Sequence, residues 1–359
     1  MTVLIFPRGR FALLKAAQAT LLVTALWLLS FSYRSEPSVR RSLLLPPPPP
    51  SSFYDAEYTR ELRIPLPRNP KHEQPPRITP HPFVSGDYFR GMADFAWDEF
   101  DNQSKWNASS INNGAIIWVK GELSADFISQ RHGDIQHPYV LVTHNADASN
   151  PREHSAVLDD PKLIAWYTVN ADVDKPHPKL HAIPIGLANN QWPHGNIDEF
   201  NRFLSLPTPS QFDREILLFI NVATYSNPER KVWVESFRNF PGAVIVDVEE
   251  NPTLSHADFL ASLKKARFVL SPPGNGIDCH RTWEAVAMGA IPIVLSSTID
   301  SLYAKAPVLV VNDFREVTPE LLATWRPKTW ARDVMWGRYW WNHFQDSIAE
   351  FGKSGKESD

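Results

Sequence analysis

A single cysteine, Cys279, occurs in 359 residues, so no disulfide can close within the chain and thiolates cannot assemble a structural zinc site. A basic stripe is also missing. Lys and Arg number 36 against 40 Asp and Glu, a formal net charge of -4. Nucleic-acid binding needs such a stripe to pair with phosphates, so no nucleic-acid partner is expected. There is no internal repeat. Hydrophobic residues at 43% and charged residues at 21% give a globular composition rather than a disordered one.

One long apolar run is present, over residues 16–33, broken only by Gln18 and hydroxyl side chains. As a helix it would reach about 27 Å, enough to cross a bilayer core. Arg8, Arg10 and Lys15 precede it, which fits a cytoplasmic tail over 1–15, although Arg34, Arg40 and Arg41 follow and weaken the bias. A cleaved signal peptide is the alternative, but no small-x-small site ends the run. Residues 34–82 then hold the tract Pro46 to Pro50 and Pro65, Pro67, Pro70, Pro75, Pro76, Pro80 and Pro82. Proline at that density fixes φ and makes a semi-rigid, extended stem. Tail, transmembrane signal anchor, stem and body give the layout of a single-pass type II protein of the Golgi or ER membrane, its body lumenal. Asn102 and Asn107 open N-glycosylation triplets just beyond the stem.

From residue 83 short apolar runs alternate with helical stretches, the pattern of an α/β protein. Strands are predicted over 115–119, 139–143, 163–169 and 182–185, with a helix over 121–130 between the first two. The second half is more regular. Strands are predicted over 216–222, 243–248, 268–271, 291–295 and 308–311, and helices over 228–239, 255–265 and 278–288. Pro228 suits a first helical turn and Ser255 can cap its helix. Such alternation implies a parallel, Rossmann-like sheet with right-handed crossovers. Pro207 and Pro209 interrupt the pattern, which separates an N-terminal domain, 83–210, from a C-terminal domain, 211–328, and a closing stretch, 329–359. In that stretch Trp330, Trp336, Trp340, Trp341 and Phe344 recur at helical spacing, which reads as packing.

The stretch 271–294, SPPGNGIDCHRTWEAVAMGAIPIV, carries the chemistry. A strand ends at Ser271, a loop with Gly274 and Gly276 follows, and a helix is expected from Asp278, a good N-cap, to Gly289. Cys279, Trp283, Val286, Ala287 and Ala290 form its apolar stripe, and His280, Arg281 and Glu284 a neighbouring polar face. Helix N-termini favour anions, and ligands of open α/β sheets bind beyond the carboxyl ends of the strands. A nucleotide-sugar needs these parts: backbone donors and an arginine for its diphosphate, a carboxylate for its hydroxyls. The same residues also suit a plain glycine turn with Arg281 and Glu284 paired on a surface. Arg230 and Lys231, opening the helix after the strand 216–222, read either as cations that neutralise a leaving diphosphate or as a solvated basic pair.

Arg281-Thr-Trp-Glu284-Ala, followed by Gly289-Ala-Ile-Pro292-Ile-Val, resembles the R-x-x-E-A…G-x-I-P-V signature of exostosin-type glycosyltransferases. Phe268-Val-Leu-Ser-Pro-Pro-Gly274 is similar to the strand and turn before that signature. The resemblance is specific over 255–312, extends from 216, and is weak in the first half. It implies a GT-B architecture, two facing Rossmann-like domains with the donor held by the C-terminal one. It also implies a UDP-sugar co-substrate and no bound metal or other cofactor; acceptor and product cannot be carried over from it, and a glycan or glycoprotein acceptor is expected apart from it. By position, Arg281 would contact the diphosphate and Glu284 the ribose or sugar hydroxyls. Ser271, Gly274, Gly276, Asp278, His280, Thr282, Arg230 and Lys231 complete the expected donor set. Val269 and Ser271 stand where exostosins often carry cysteine, and the loop 275–279 is short, which marks a divergent branch and leaves the donor sugar open.

Sugar transfer by direct displacement needs a base for the acceptor hydroxyl proton. His144 and Asp147, after the strand 139–143, are the candidates; an Asx turn with a hydrogen-bonded histidine is the plain alternative. His154 and Asp172 rank below them. Asn189, Asn190 and Trp192 suit a sugar site, or equally an interdomain loop. Asp172 and Asp174 form a literal Asp-x-Asp, the arrangement that holds a divalent cation in metal-dependent glycosyltransferases. Pro178, between His177 and His181, disfavours the helix that would align those two for zinc. The expectation is a metal-independent glycosyltransferase. The alternatives are a metal-dependent one using Asp172 and Asp174, and a catalytically silent glycan-binding relative.

Overall fold

Short, near-continuous apolar runs, buried on both faces, build two five-stranded sheets, each parallel throughout. The computed structural model describes residues 79–99, 106–173, 175–246 and 254–354. The expected tail, anchor and nearly all of the stem, together with Asn102 and Asp174, lie outside the described residues, which all fall within one unit, 45–359. Among the described residues no helix is long and apolar enough to cross a membrane.

The first half runs α1 (Gly86–Met92), β1 (Phe95–Trp97), β2 (Ala115–Lys120), α2 (Ser124–Gln130), β3 (Tyr139–His144), β4 (Asn150–Pro151), β5 (Leu163–Thr168), β6 (Ala171–Asp172), β7 (Leu180–Ala182) and α3 (Ile197–Ser205). Its sheet has the order β1-β2-β3-β5-β7, and β4 pairs with β6 beside it. The second half runs β8 (Ile216–Ile220), α4 (Glu229–Ser236), β9 (Ala243–Ile245), α5 (His256–Lys265), β10 (Ala266–Leu270), α6 (His280–Ala287), β11 (Ile291–Leu295), α7 (Asp300–Tyr303), β12 (Leu309–Val311), α8 (Pro319–Thr324) and α9 (Gly337–Ser354). Its sheet has the order β12-β11-β10-β8-β9.

Period-two alternation sends each strand's side chains to two different cores. On β2, Ile117 and Val119 pack into a cluster on the outer face with Phe127 and Trp166, while Ile116 and Trp118 face the other way. Likewise Leu218, Phe268 and Ile293 pack outside the second sheet, while Phe219 and Val269 join Ile116 and Trp118 in one large cluster. That cluster takes in Trp283 of α6 and Phe89 of α1, so both sheets share a core. Helix α9 belongs to it too. Trp340 and Phe344 are buried there, Phe344 stands edge-on to Tyr167 at 4.6 Å, and the Tyr167 hydroxyl donates to the His343 carbonyl at 3.0 Å. Each of these large side chains contributes about 1.5–3 kcal/mol by burial.

Several expected boundaries move for identifiable reasons. The strand expected over 182–185 is β7, which starts two residues earlier and ends three earlier, because Pro184 has no N–H to continue a ladder. The helix expected from Gly121 begins as a single 3-10 turn, with α2 proper starting at Ser124. Pro228 is the N-cap of α4, and Ser255 caps α5 by accepting from Asp258 N–H at 3.1 Å. Gly289 N–H and Ala290 N–H return to the carbonyls of Val286 and Ala285 at 3.1 and 2.8 Å, closing α6.

Candidate functional site

The loops leaving the carboxyl ends of the two sheets meet and are tied by hydrogen bonds. Asn145 and Asn170, at the ends of β3 and β5, have φ of 56° and 52°, a left-handed conformation that asparagine tolerates. The Asn170 Oδ1 accepts from Asp278 N–H at 2.9 Å, and its Nδ2 donates to the carbonyls of Ala146 and Asp147 at 3.3 and 3.2 Å. Asn275 Nδ2 donates to Asp147 Oδ2 at 3.1 Å, and His280 Nδ1 donates to the Gly186 carbonyl at 2.8 Å.

Asp278 sits at the centre of this junction. Its Oδ2 accepts from Ile185 N–H at 2.8 Å and from Trp283 Nε1 at 2.6 Å; its Oδ1 accepts from Cys279 N–H at 2.9 Å and from the Tyr303 hydroxyl at 3.1 Å. Burial raises its pKa, and the four donors pull against that rise. A carboxylate has about four lone-pair directions, and here all are filled by protein. Two expectations are therefore corrected. Helix α6 starts at His280 with Cys279 as its N-cap, because the Asp278 carboxylate is taken up by Ile185 across the junction and by the side chains of Trp283 and Tyr303. Asp278 also has no acceptor left for a donor nucleotide.

Arg230 is corrected in the same way. Its Nε donates to the Pro273 carbonyl at 2.8 Å, Nη1 to the Ala223 carbonyl at 2.9 Å and the Ser226 hydroxyl at 2.7 Å, and Nη2 to the Pro272 carbonyl at 2.9 Å and Cys279 Sγ at 3.5 Å. All five N–H groups serve the protein, so Arg230 shapes the loop instead of gripping an anion directly. This explains the glycines. A Cβ at Gly274 would lie 2.8 Å from Arg230 Nη2, and one at Gly276 would lie 2.6 Å from Asn170 Nδ2. Ser271 and Thr282, both buried, bond each other through their hydroxyls at 2.9 Å and fasten β10 to α6, which removes them from the donor set. Lys231 is exposed on α4.

Arg281 behaves differently. Its Nε and Nη1 are shielded from solvent and have no hydrogen-bond partner. Burial and the Arg230 charge lower its pKa, while Cys279 and Glu284 oppose them. Leaving a buried charged donor unfilled costs at least about 1–3 kcal/mol, which an anion placed there would recover. Glu284, one turn along α6, is buried and accepts from His256 Nε2 at 2.9 Å through Oε1. His256 Nδ1 lies 3.2 Å from Glu199 Oε2. Glu284 also lines a crevice with Leu187, Ala188, His194 and Asn196.

On the opposite side, His144 is fully buried. Its Nδ1 accepts from Asn145 N–H at 2.7 Å and its Nε2 donates to the Pro184 carbonyl at 3.1 Å. Burial pushes its pKa down to about 4. With both nitrogens engaged it has no site for an acceptor's proton, which corrects its expected role as a base. Asp147 remains exposed beside the glycine loop. Asn189 is buried, accepting from Asp87 N–H at 2.9 Å and donating to Asn145 Oδ1 at 3.2 Å, so it supports the loop and does not face a sugar. Trp192 is 55% exposed and stacks on His194, whose ring is 5.8 Å from that of His280. Beside it the side-chain oxygens of Asn190 and Gln191 are buried without partners. Asn107 is exposed, its Oδ1 accepting from the Ser109 hydroxyl of its own triplet at 2.7 Å. Asp172, in β6, pairs with Pro151 of β4. Among the described residues no group of three or more His, Cys, Asp or Glu is placed to hold a metal.

Asn170, Asn275, His256 and Glu199 had no signal in the sequence, because each acts on a partner 28 or more residues away.

No family model and no curated protein matches the chain. Among solved structures it is similar to one described as trehalose-6-phosphate from E. coli bound with UDP-2-fluoro glucose. The two share 11% identity over 70% of this chain and 74% of that chain, with a TM-score of 0.37.

Proposed function

We propose that the protein is a glycosyltransferase of the GT-B plan, related to the exostosin type, that moves a sugar from a UDP-sugar to a glycan or glycoprotein acceptor without a bound metal. The observation that carries this reading is Arg281: a guanidinium whose shielded Nε and Nη1 have no hydrogen-bond partner, at the start of a helix that follows a parallel strand. Such a group calls for an oxyanion, and the donor's diphosphate supplies one. Arg230 adds a second positive charge beneath the same loop, through the loop carbonyls. His280 and Glu284 flank the sugar and ribose, and the exposed Trp192 face with Asn190 receives the acceptor. In the transfer step the acceptor oxygen bonds to the anomeric carbon and its proton passes to Asp147. The bond from that carbon to the diphosphate breaks, and its electron pair departs with UDP. Negative charge grows on the leaving diphosphate, where the Arg281 N–H groups stabilise it best.

The full-length chain, solubilised in detergent with EDTA present, should release UDP from at least one UDP-sugar of a panel. Arg281→Ala should reduce that rate by roughly 10- to 100-fold, the equivalent of losing hydrogen bonds to a charged group. Full activity in Arg281→Ala would exclude the reading. Activity lost on chelation and restored by Mn²⁺ would favour a metal-dependent transferase. Glycan binding without turnover of any donor would favour a silent relative. We further propose that residues 16–33 anchor the chain in the Golgi or ER membrane with the body in the lumen.

A further inference from the structure

Three side chains from three helices meet behind the donor site. His256, the first residue of α5, places Nε2 at 2.9 Å from Glu284 Oε1 on α6 and Nδ1 at 3.2 Å from Glu199 Oε2 on α3. The side chains of His256 and Glu284 are 9% and 6% exposed, and that of Glu199 25%. A neutral imidazole has one N–H and one lone pair, so it can serve only one carboxylate as a donor. At Nδ1 the contact with Glu199 is an ion-pair approach outside hydrogen-bond geometry, and the two carboxylates, one on each side, favour the ring carrying both protons. The N-terminus of α5 disfavours that cation, since the helix dipole is positive there. Burial also lowers the pKa of His256, yet Glu284 and Glu199 together raise it above the ordinary histidine value.

The other charged groups around the ring do not compete for it. Asp258, on α5 itself, accepts from the Ser255 hydroxyl at 2.6 Å. Arg202, on α3, lies 3.8 Å from the other oxygen of Glu199. Arg281, on α6, acts on Glu284, and His194 feels the charges of both His256 and Glu284. One oxygen of Glu284 is thus held from behind, while the residue lines the crevice beside α6.

We propose that His256 is a positioning residue for Glu284, fixing its carboxylate as an anion in one orientation so that the second oxygen receives a ribose hydroxyl of the nucleotide. In the same arrangement Glu199 holds His256 in its doubly protonated form. The proposal rests on the donor reading above and adds to it a pH limit on nucleotide binding. That limit lies where His256 loses its proton, above the ordinary histidine range.

The test uses the full-length chain in detergent with ¹³C-labelled histidine, UDP as the probe, and titration from about pH 6 to 9, a window that spans the ordinary histidine value and the region above it. Wild-type UDP affinity should fall as the His256 imidazole signal titrates. Glu199→Gln, a partly exposed and mild change, should lower the midpoint of that signal and move the loss of affinity down by the same amount. His256→Gln should weaken UDP binding about tenfold at the acid end, the loss of one charge-assisted hydrogen bond, and leave it independent of pH. An unchanged imidazole midpoint in Glu199→Gln would overturn the proposal. So would UDP binding by wild type with the same strength and pH profile as His256→Gln, and in that case the donor reading survives. Absence of UDP binding by wild type at every pH would overturn the donor reading and this proposal with it.

Discussion

His144 lies fully buried with both ring nitrogens bonded to backbone groups, and burial holds its pKa down to about 4. Its folded value is below its unfolded one, so the ring is carried neutral and its contribution is complete above about pH 6.5. That contribution fades as pH falls from there through about 4, and amounts to roughly 3 kcal/mol in total. Replacing His144 with Gln should therefore reduce the loss of stability between about pH 7 and 4.5, read by urea unfolding. An unchanged difference would show that the ring is not the group being protonated. His256 has the opposite sign: its pKa is raised, so its stabilisation is present below about pH 6.5 and is lost as pH rises through the raised value. Asp278 makes a third prediction at this scale. In Asp278→Asn the amide nitrogen would face two of the four donors now bonded to the carboxylate. The cost should be about 2–4 kcal/mol in thermal or urea unfolding, an effect far larger than that of a surface change.

Helices α3, α5 and α6 end without carboxylates or glycine alone to complete them; buried cations do that work. Arg214 donates to the carbonyls of Leu263, Ala266 and Met288 at 3.2, 2.8 and 3.1 Å, and Lys264 bonds those of Phe203 and Leu206, both at 2.6 Å. Arg332 donates to the Ala287 carbonyl at 2.9 Å. The partial negative charge at a helix C-terminus partly offsets these cations, but burial still pushes Arg214 and Arg332 down to about 10 and Lys264 to about 8. Arg214→Met would keep much of the packing and leave three carbonyls without that donor. It should cost about 2–4 kcal/mol, measured as a lowered urea midpoint with an unchanged slope. At this scale the sequence was readable where short apolar runs were strong, as in β2, β3, β8 and β11. Short or polar-flanked elements such as β1, α1 and α3 left no comparable pattern, since tertiary contacts hold them. The start of α6 was misplaced because Asp278 has the chemistry of a cap, and only its contact with Ile185, 93 residues earlier, shows otherwise.

For the whole molecule, the two parallel sheets share one core and meet at their carboxyl ends, with α9 returning from the second half to pack on β5. The regular strand–helix alternation made the parallel sheets legible, and the Gly-rich loop marked which end of the second sheet to examine. What was not legible is which polar residues in that region serve the protein and which remain for a ligand. Arg230, Ser271, Asp278 and Thr282 proved to be engaged with neighbours, and Arg281 did not. The expected anchor at 16–33 predicts that the full chain stays with membranes through alkaline carbonate extraction; release into the supernatant would argue against it. The central claim is that Arg281 waits for the diphosphate of a nucleotide donor. Titration calorimetry of the full-length chain with UDP in EDTA addresses it most directly. Saturable binding by wild type, weakened roughly 10- to 100-fold in Arg281→Ala, is the predicted result. Equal binding by the two proteins, or none by wild type, would contradict it.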